Sequence, residues 1–189
     1  MILKPIFEFL AAKKGTPMRR LAILIILIAT AAIALPQEPP KTASVQSDAK
    51  KAFAKLKTLS GSWQGTVMDT SINFTIRATS SGTTILHEGN TSKDGPPKNE
   101  ITMFYLDGDR LLATHYCDAG NRSNMEGKVS ADGNSIQFTF IDVAGPTRGG
   151  YLKDLVFTVI DAGHHIVGLT FVMPDGKPIQ LRGKFQRTN

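Results

Sequence analysis

At 189 residues, 41% of them hydrophobic and 20% charged, the chain has room for one domain of ordinary size. The formal net charge of +6 is largely local: five basic residues and one acidic residue precede position 35, leaving 17 basic against 15 acidic side chains after it. With no charge run and no strip of aromatic and basic residues in that remainder, a nucleic-acid partner is not expected, and the single cysteine, Cys117, excludes an intramolecular disulfide.

The chain begins MILKPIFEFLAAKKGTP and continues through Arg19-Arg20, the apolar run LAILIILIATAAIAL and a small-x-small site at Ala32-Ile33-Ala34. That order is the order of a signal peptide, so residues 1–34 are expected to be a leader cleaved after Ala34, with Met18 as an alternative start. The uncharged run is shorter than the roughly 20 residues of a spanning helix, and Pro36, Pro39 and Pro40 follow it. No stable membrane span is therefore expected after cleavage. With no cysteine at the cleavage site to carry a lipid, the expected location is periplasmic or secreted.

Residues 35–46, LPQEPPKTASVQ, lack periodicity and read as a flexible Pro-rich tether. Residues 47–189 read as a single domain. Its first element is a short amphipathic helix, in which Phe53, Leu56 and Leu59 recur at helical spacing behind a cap at Ser47 or Asp48. After Gly61 the period changes to two: in SINFTIRA, Ile72, Phe74, Ile76 and Ala78 alternate with Asn73, Thr75 and Arg77.

Similar segments at 83–88, 100–107, 110–117, 122–129, 135–142, 154–161, 164–173 and 178–187, with SWQGTVM at 62–68, make about ten strands. Turn residues between them, such as Asp107-Gly108-Asp109 and Pro174-Asp175-Gly176, suit antiparallel hairpins. The fold class is thus all-β, one short helix followed by an antiparallel up-and-down barrel of about ten strands. Two stacked sheets remain the alternative, since both satisfy the same periodicity.

The order of a short helix and then Leu59-Ser60-Gly61-Ser62-Trp63-Gln64-Gly65 resembles the Gly-x-Trp opening of the calycin superfamily, which includes lipocalins, fatty-acid-binding proteins and nitrobindins. The stretch ITMFYLDGDRLLATHYCDAGNRSNM, residues 101–125, is similar to the central signature of an uncharacterised family of exported bacterial lipocalin-like domains, over roughly Ala52 to Phe185. The resemblance implies a lipocalin-like barrel with Trp63 closing one end, and export, but no reaction. That family carries a His-x-His after the signature; Tyr151-Leu152-Lys153 stands there instead, so no metal site is expected on it. Nitrobindins hold haem through a histidine near the C-terminus, where KPIQLRGKFQR has none. No cofactor is expected, with haem on His164 or His165 a minor alternative.

Of the four histidines, His87, His115, His164 and His165, the last pair is adjacent, so its two rings must point to opposite faces of a regular strand. Following Asp161-Ala162-Gly163, both are expected at a turn edge. If Leu111 and Ala113 face inward, so do His115 and Cys117, and the reverse assignment is also open. No HExxH, GxSxG or phosphate-loop motif appears, and no catalytic residues are expected.

The phenylalanines, with Met68, Met103, Met125 and Met173, are expected to supply the inward surface, either packed solid or leaving space for one small ligand. The expected function is binding of a small hydrophobic molecule, a lipid or haem-like compound. Trp63, Met103, Tyr105, His115, Cys117 and Met125 are the candidate contacts. The alternative from another class is a solidly packed barrel that acts as a protein or envelope interaction module.

Overall fold

The computed structural model describes residues 46–91 and 98–188; the expected leader, and the tether apart from Gln46, lie outside the described residues. Helix α1 (Asp48–Thr58) starts where the sequence places it. The Ser47 side chain accepts a hydrogen bond from the Lys50 N–H, Asp48 sits in the first turn, and Lys55 and Lys57 sit in the last, each charge complementing the helix dipole. Its inner face buries Ala52, Phe53 and Leu56.

Ten strands follow: β1 (Gly61–Val67), β2 (Thr70–Thr79), β3 (Thr84–Thr91), β4 (Lys98–Asp107), β5 (Arg110–Tyr116), β6 (Arg122–Val129), β7 (Ser135–Ala144), β8 (Tyr151–Val159), β9 (His164–Val172) and β10 (Pro178–Thr188). Each pairs antiparallel with the next, and β10 returns to pair with β1, closing the barrel. Closure removes every open edge, the problem a two-sheet arrangement would have left. The ten-stranded lipocalin-like barrel is therefore the architecture.

Two glycines show how rings fit inside so tight a curve. Gly127 pairs with Phe138, and a methyl group on Gly127 would lie 2.6 Å from the Phe138 ring. At the closing seam Gly65 pairs with Phe185, and a methyl there would run into both the Phe185 ring and the Lys184 carbonyl oxygen. The glycine leaves room for the ring to lie across the strand. Because a backbone atom is one of the obstacles, Gly65→Ala is expected to part the β1–β10 seam and cost about 2–3 kcal/mol. A urea unfolding midpoint matching that of the wild type would show that the seam absorbs the methyl.

Inside, the alternation is clear on β5, where Leu111, Ala113 and His115 are buried and Arg110 and Tyr116 exposed. The half of the barrel next to α1 is packed solid. Phe104 lies 5.0 Å from Phe138 and 5.8 Å from Phe157, ring centre to ring centre, with Leu111, Met125 and Ile136 filling between strands. Helix α1 packs on β4, β5 and β6. At the same end Lys50 reaches Asp109 of the β4–β5 turn at 3.7 Å.

Some sequence expectations fail here. Met68 is not part of the inner surface: it is 71% exposed, and with Asp69 it forms a tight turn in which both residues have positive φ, 46° and 60°. Such a turn normally announces itself with Asn or Gly, and this one has neither. Ala78 is exposed near the end of β2, and Met103 faces outward with Tyr105 between the inward residues Thr102 and Phe104.

Candidate functional site

Beyond the packed half, at the strand ends away from α1, the interior holds a cavity of about 90 Å³. Its walls differ in character. Strands β8, β9 and β10 contribute Leu152, Leu155, Val167, Leu169, Phe171 and Leu181, while β3, β4 and β5 contribute His87, Glu100, Thr102 and His115. Gly89 completes the polar side; a methyl added to it would meet only ordinary contacts near 3.9 Å, so the missing side chain is part of the empty space.

The polar wall follows from register. Thr102 and His115 are cross-strand partners on β4 and β5, and the Thr102 hydroxyl lies 2.9 Å from His115 Nδ1. Two residues further along, Glu100 on β4 and Cys117, just past the end of β5, come together, with Cys117 Sγ 3.6 Å from Glu100 Oε1. His115 Nε2 points at the same carboxylate, 3.9 Å from Oε2. The imidazole is 4% exposed, and Nε2 has no hydrogen-bond partner among the described residues.

Burial governs the protonation of this wall. It pushes His115 down to about 4, and it pushes His87 down to about 3 with further help from repulsion by His115 and His165. Both rings face the cavity as neutral imidazoles at neutral pH. Burial likewise raises the Cys117 thiol to about 11, and the neighbouring carboxylates of Glu100 and Asp118 push the same way. A thiol held protonated is not poised as a nucleophile.

Of the six residues expected to contact a ligand, the cavity wall includes His115. Cys117 stands beside it at the rim through Glu100. Met125 is buried in the solid half, and Trp63 is buried at the barrel end near α1. Met103 and Tyr105 are on the outer face, where Tyr105 and Thr114 share a side-chain contact at 3.4 Å that continues to Asn124. In this geometry the binding expectation contracts to His115 with Cys117 at the rim. Ala113, the natural position to fill an interior, is also in the solid half, opposite Phe104 and Met125, and does not line the cavity.

His87, Glu100 and Thr102 were not singled out in the sequence. Alternation along β4 and β3 would have found them once the register to β5 was known; the sequence alone does not state that register. The adjacent histidines separate as their spacing requires. His164 is at the turn edge with its ring on Asp161, at 2.9 and 3.0 Å. His165, expected at the same edge, is instead fully buried, 4.1 Å from Trp63 and stacked on Phe185.

The surroundings of the four histidines differ. The His165 ring is enclosed by packed side chains, His164 is tied to Asp161, and the cavity that His87 and His115 face is far smaller than a macrocycle.

No family model and no curated protein matches the sequence. Among solved structures the chain is similar to Rv2717c from M. tuberculosis, with 15% identity and a TM-score of 0.55 over 73% of this chain and 98% of that one. A bovine odorant-binding protein in complex with a selenium-containing odorant aligns with 15% identity and a TM-score of 0.34, over 71% of this chain and 73% of that one. The first likeness shows the barrel fold.

Proposed function

We propose that the protein is an exported binding protein that takes a small, mainly hydrophobic molecule into the open half of its barrel. The observation that carries this reading is the two-sided cavity, apolar on β8–β10 and polar on β3–β5, inside a barrel whose other half is solid. Packing a barrel completely is within reach of a sequence with this many phenylalanines, and here the solid half stops short. Ligand pockets have this composition, an apolar lining with a few convergent polar groups.

Volume narrows the ligand class. A cavity of about 90 Å³ is smaller than the ~150 Å³ engineered cavity that holds benzene. The matching ligand is a molecule of a few heavy atoms, or the end of an aliphatic chain whose remainder leads out past the rim. Its polar group would lie against His87, Thr102, His115 and Glu100. The export part of the reading rests on Arg19-Arg20, the apolar run and Ala32-Ile33-Ala34.

The test is native mass spectrometry of the full chain from a bacterial host, treated with a chelator and compared with its denatured mass. A reproducible excess in the native form is expected. Gly89→Val, whose added Cβ meets only ordinary contacts in the cavity wall, is expected to abolish that excess and leave stability within about 1 kcal/mol. Equal native and denatured masses for the wild type would overturn the reading and direct attention to protein partners.

A further inference from the structure

At the rim of the cavity three different donor atoms converge: a carboxylate oxygen of Glu100, a ring nitrogen of His115 and Sγ of Cys117 all lie within 4.8 Å of one another. A tetrahedral zinc site with bonds of about 2.0–2.3 Å places its ligand atoms about 3.3–3.8 Å apart. The Sγ to Oε1 separation of 3.6 Å is in that range, while Nε2 stands somewhat farther, 3.9 Å, from the other carboxylate oxygen, Oε2. Rotations of the Glu100 and Cys117 side chains would draw the three donors together around one ion.

The second observation is the state of His115. Its ring is buried, yet Nε2 has no hydrogen-bond partner among the described residues, an arrangement that a buried polar atom rarely keeps. The other ring nitrogen is engaged by Thr102 at 2.9 Å. With Nδ1–H donating to that hydroxyl, the lone pair of Nε2 points at the Glu100–Cys117 pair. This is how a protein orients a histidine ligand, through a partner on its far nitrogen.

We propose that Glu100, His115 and Cys117 form a mononuclear site for a borderline divalent cation of the zinc class, with one coordination position open toward the cavity. Mixed oxygen, nitrogen and sulfur donors select such an ion over magnesium or calcium, which take oxygen ligands. As the metal–sulfur bond forms, the thiol proton leaves to solvent and the charges of thiolate and carboxylate offset that of the ion. The open position would be taken by water or by a donor atom of the cavity's occupant. The site does not depend on a hydrophobic ligand being bound.

Cobalt(II) added to the full chain is the probe. One equivalent is expected to bind, giving the thiolate-to-cobalt charge-transfer band and the intense visible bands of a four-coordinate ion, and zinc is expected to displace it. Cys117→Ser should remove the charge-transfer band and weaken binding on the order of 100-fold, Glu100→Gln and Thr102→Val each on the order of 10-fold. His164→Ala, which removes the exposed His164–Asp161 pair, should change nothing. Gly89→Val should keep the cobalt spectrum while losing the cavity ligand, so the two readings fail separately. Binding without a charge-transfer band, binding unaffected by Cys117→Ser, or loss of binding in His164→Ala would overturn the assignment.

Discussion

Replacing Trp63 by alanine is expected to destabilise the protein by about 4 kcal/mol, a large part of the roughly 5–15 kcal/mol that holds a domain together. The side chain is 1% exposed, and its neighbours use every part of it. The indole N–H donates to the Leu59 carbonyl at 2.8 Å, fixing the end of α1 to the start of β1. The Arg187 guanidinium covers the ring at 4.3 Å and donates to the carbonyls of Thr58, Ser60 and Ala162. Trp63 and Arg187 are cross-strand partners on β1 and β10, so this one contact joins the helix, the first strand and the last.

Truncation removes the packing, leaves the Leu59 carbonyl without its donor and takes away the surface on which Arg187 rests. Trp63→Phe keeps most of the area and loses the hydrogen bond, so its expected cost is about 1–2 kcal/mol. Urea unfolding followed by far-ultraviolet circular dichroism measures both, since the only tryptophan is lost as a fluorophore. A Trp63→Ala protein within 1 kcal/mol of the wild type would refute the role of Trp63 in closing this end.

Acidification is expected to have a comparably large effect, well above the range where carboxylates titrate. Burial holds His115 and His165 down to about 4 and His87 down to about 3, against 6.5 for an exposed histidine. The nearby Arg187 cation adds to the effect at His165. Because the folded values lie below the unfolded one, the unfolded chain binds more protons between them, and stability rises with pH in that window. The contribution is complete above about pH 6.5 and falls as the pH drops toward 4.

Each histidine supplies a slope of at most about 1.4 kcal/mol per pH unit, so the three together approach about 4 kcal/mol per unit near pH 5. Unfolding free energies of the metal-free chain at pH 7, 6 and 5 test this. Stability should drop by several kcal/mol, and His165→Phe, which keeps the ring stack on Phe185, should lower the proton uptake on unfolding by about one. Equal stability at pH 7 and pH 5 would mean that the rings titrate in the folded chain as they do in the unfolded one.

The carboxylates that the fold favours act later. Glu126 is held below its usual range chiefly by the Arg110 hydrogen bond, Asp132 by Ser130 and Asp161 by the Gly163 N–H. Their contribution is lost as the pH falls through the lower carboxylate range, below most of the histidine window.

Local signals in the sequence were enough for the helix, capped at Ser47 or Asp48, for about ten strands and for their antiparallel order. Each of these is a local matter: a side-chain oxygen three residues before an amide, a period of two, a turn residue that tolerates positive φ. The sequence also placed Leu111, Ala113 and His115 on one face, because alternation relates residues along a single strand without regard to the next. The Met68–Asp69 turn escaped because Asp69 is its one residue with a leaning toward positive φ, and the meeting of β1 and β2 imposes the same conformation on Met68.

Packing between strands set which face was inner for Met103 and Tyr105, buried His165 against Trp63 while its neighbour stayed exposed, and brought Glu100, His115 and Cys117 together at the cavity rim. A shift of one residue in the β4–β5 register would turn Glu100 and Thr102 outward and Met103 inward, and nothing local to β4 forbids it. What fixes it is closure. With all ten strands joined, the register of each pair must agree with every other and with the rings of Phe104, Phe138 and Phe157 filling one half, and the cavity forms where that filling ends.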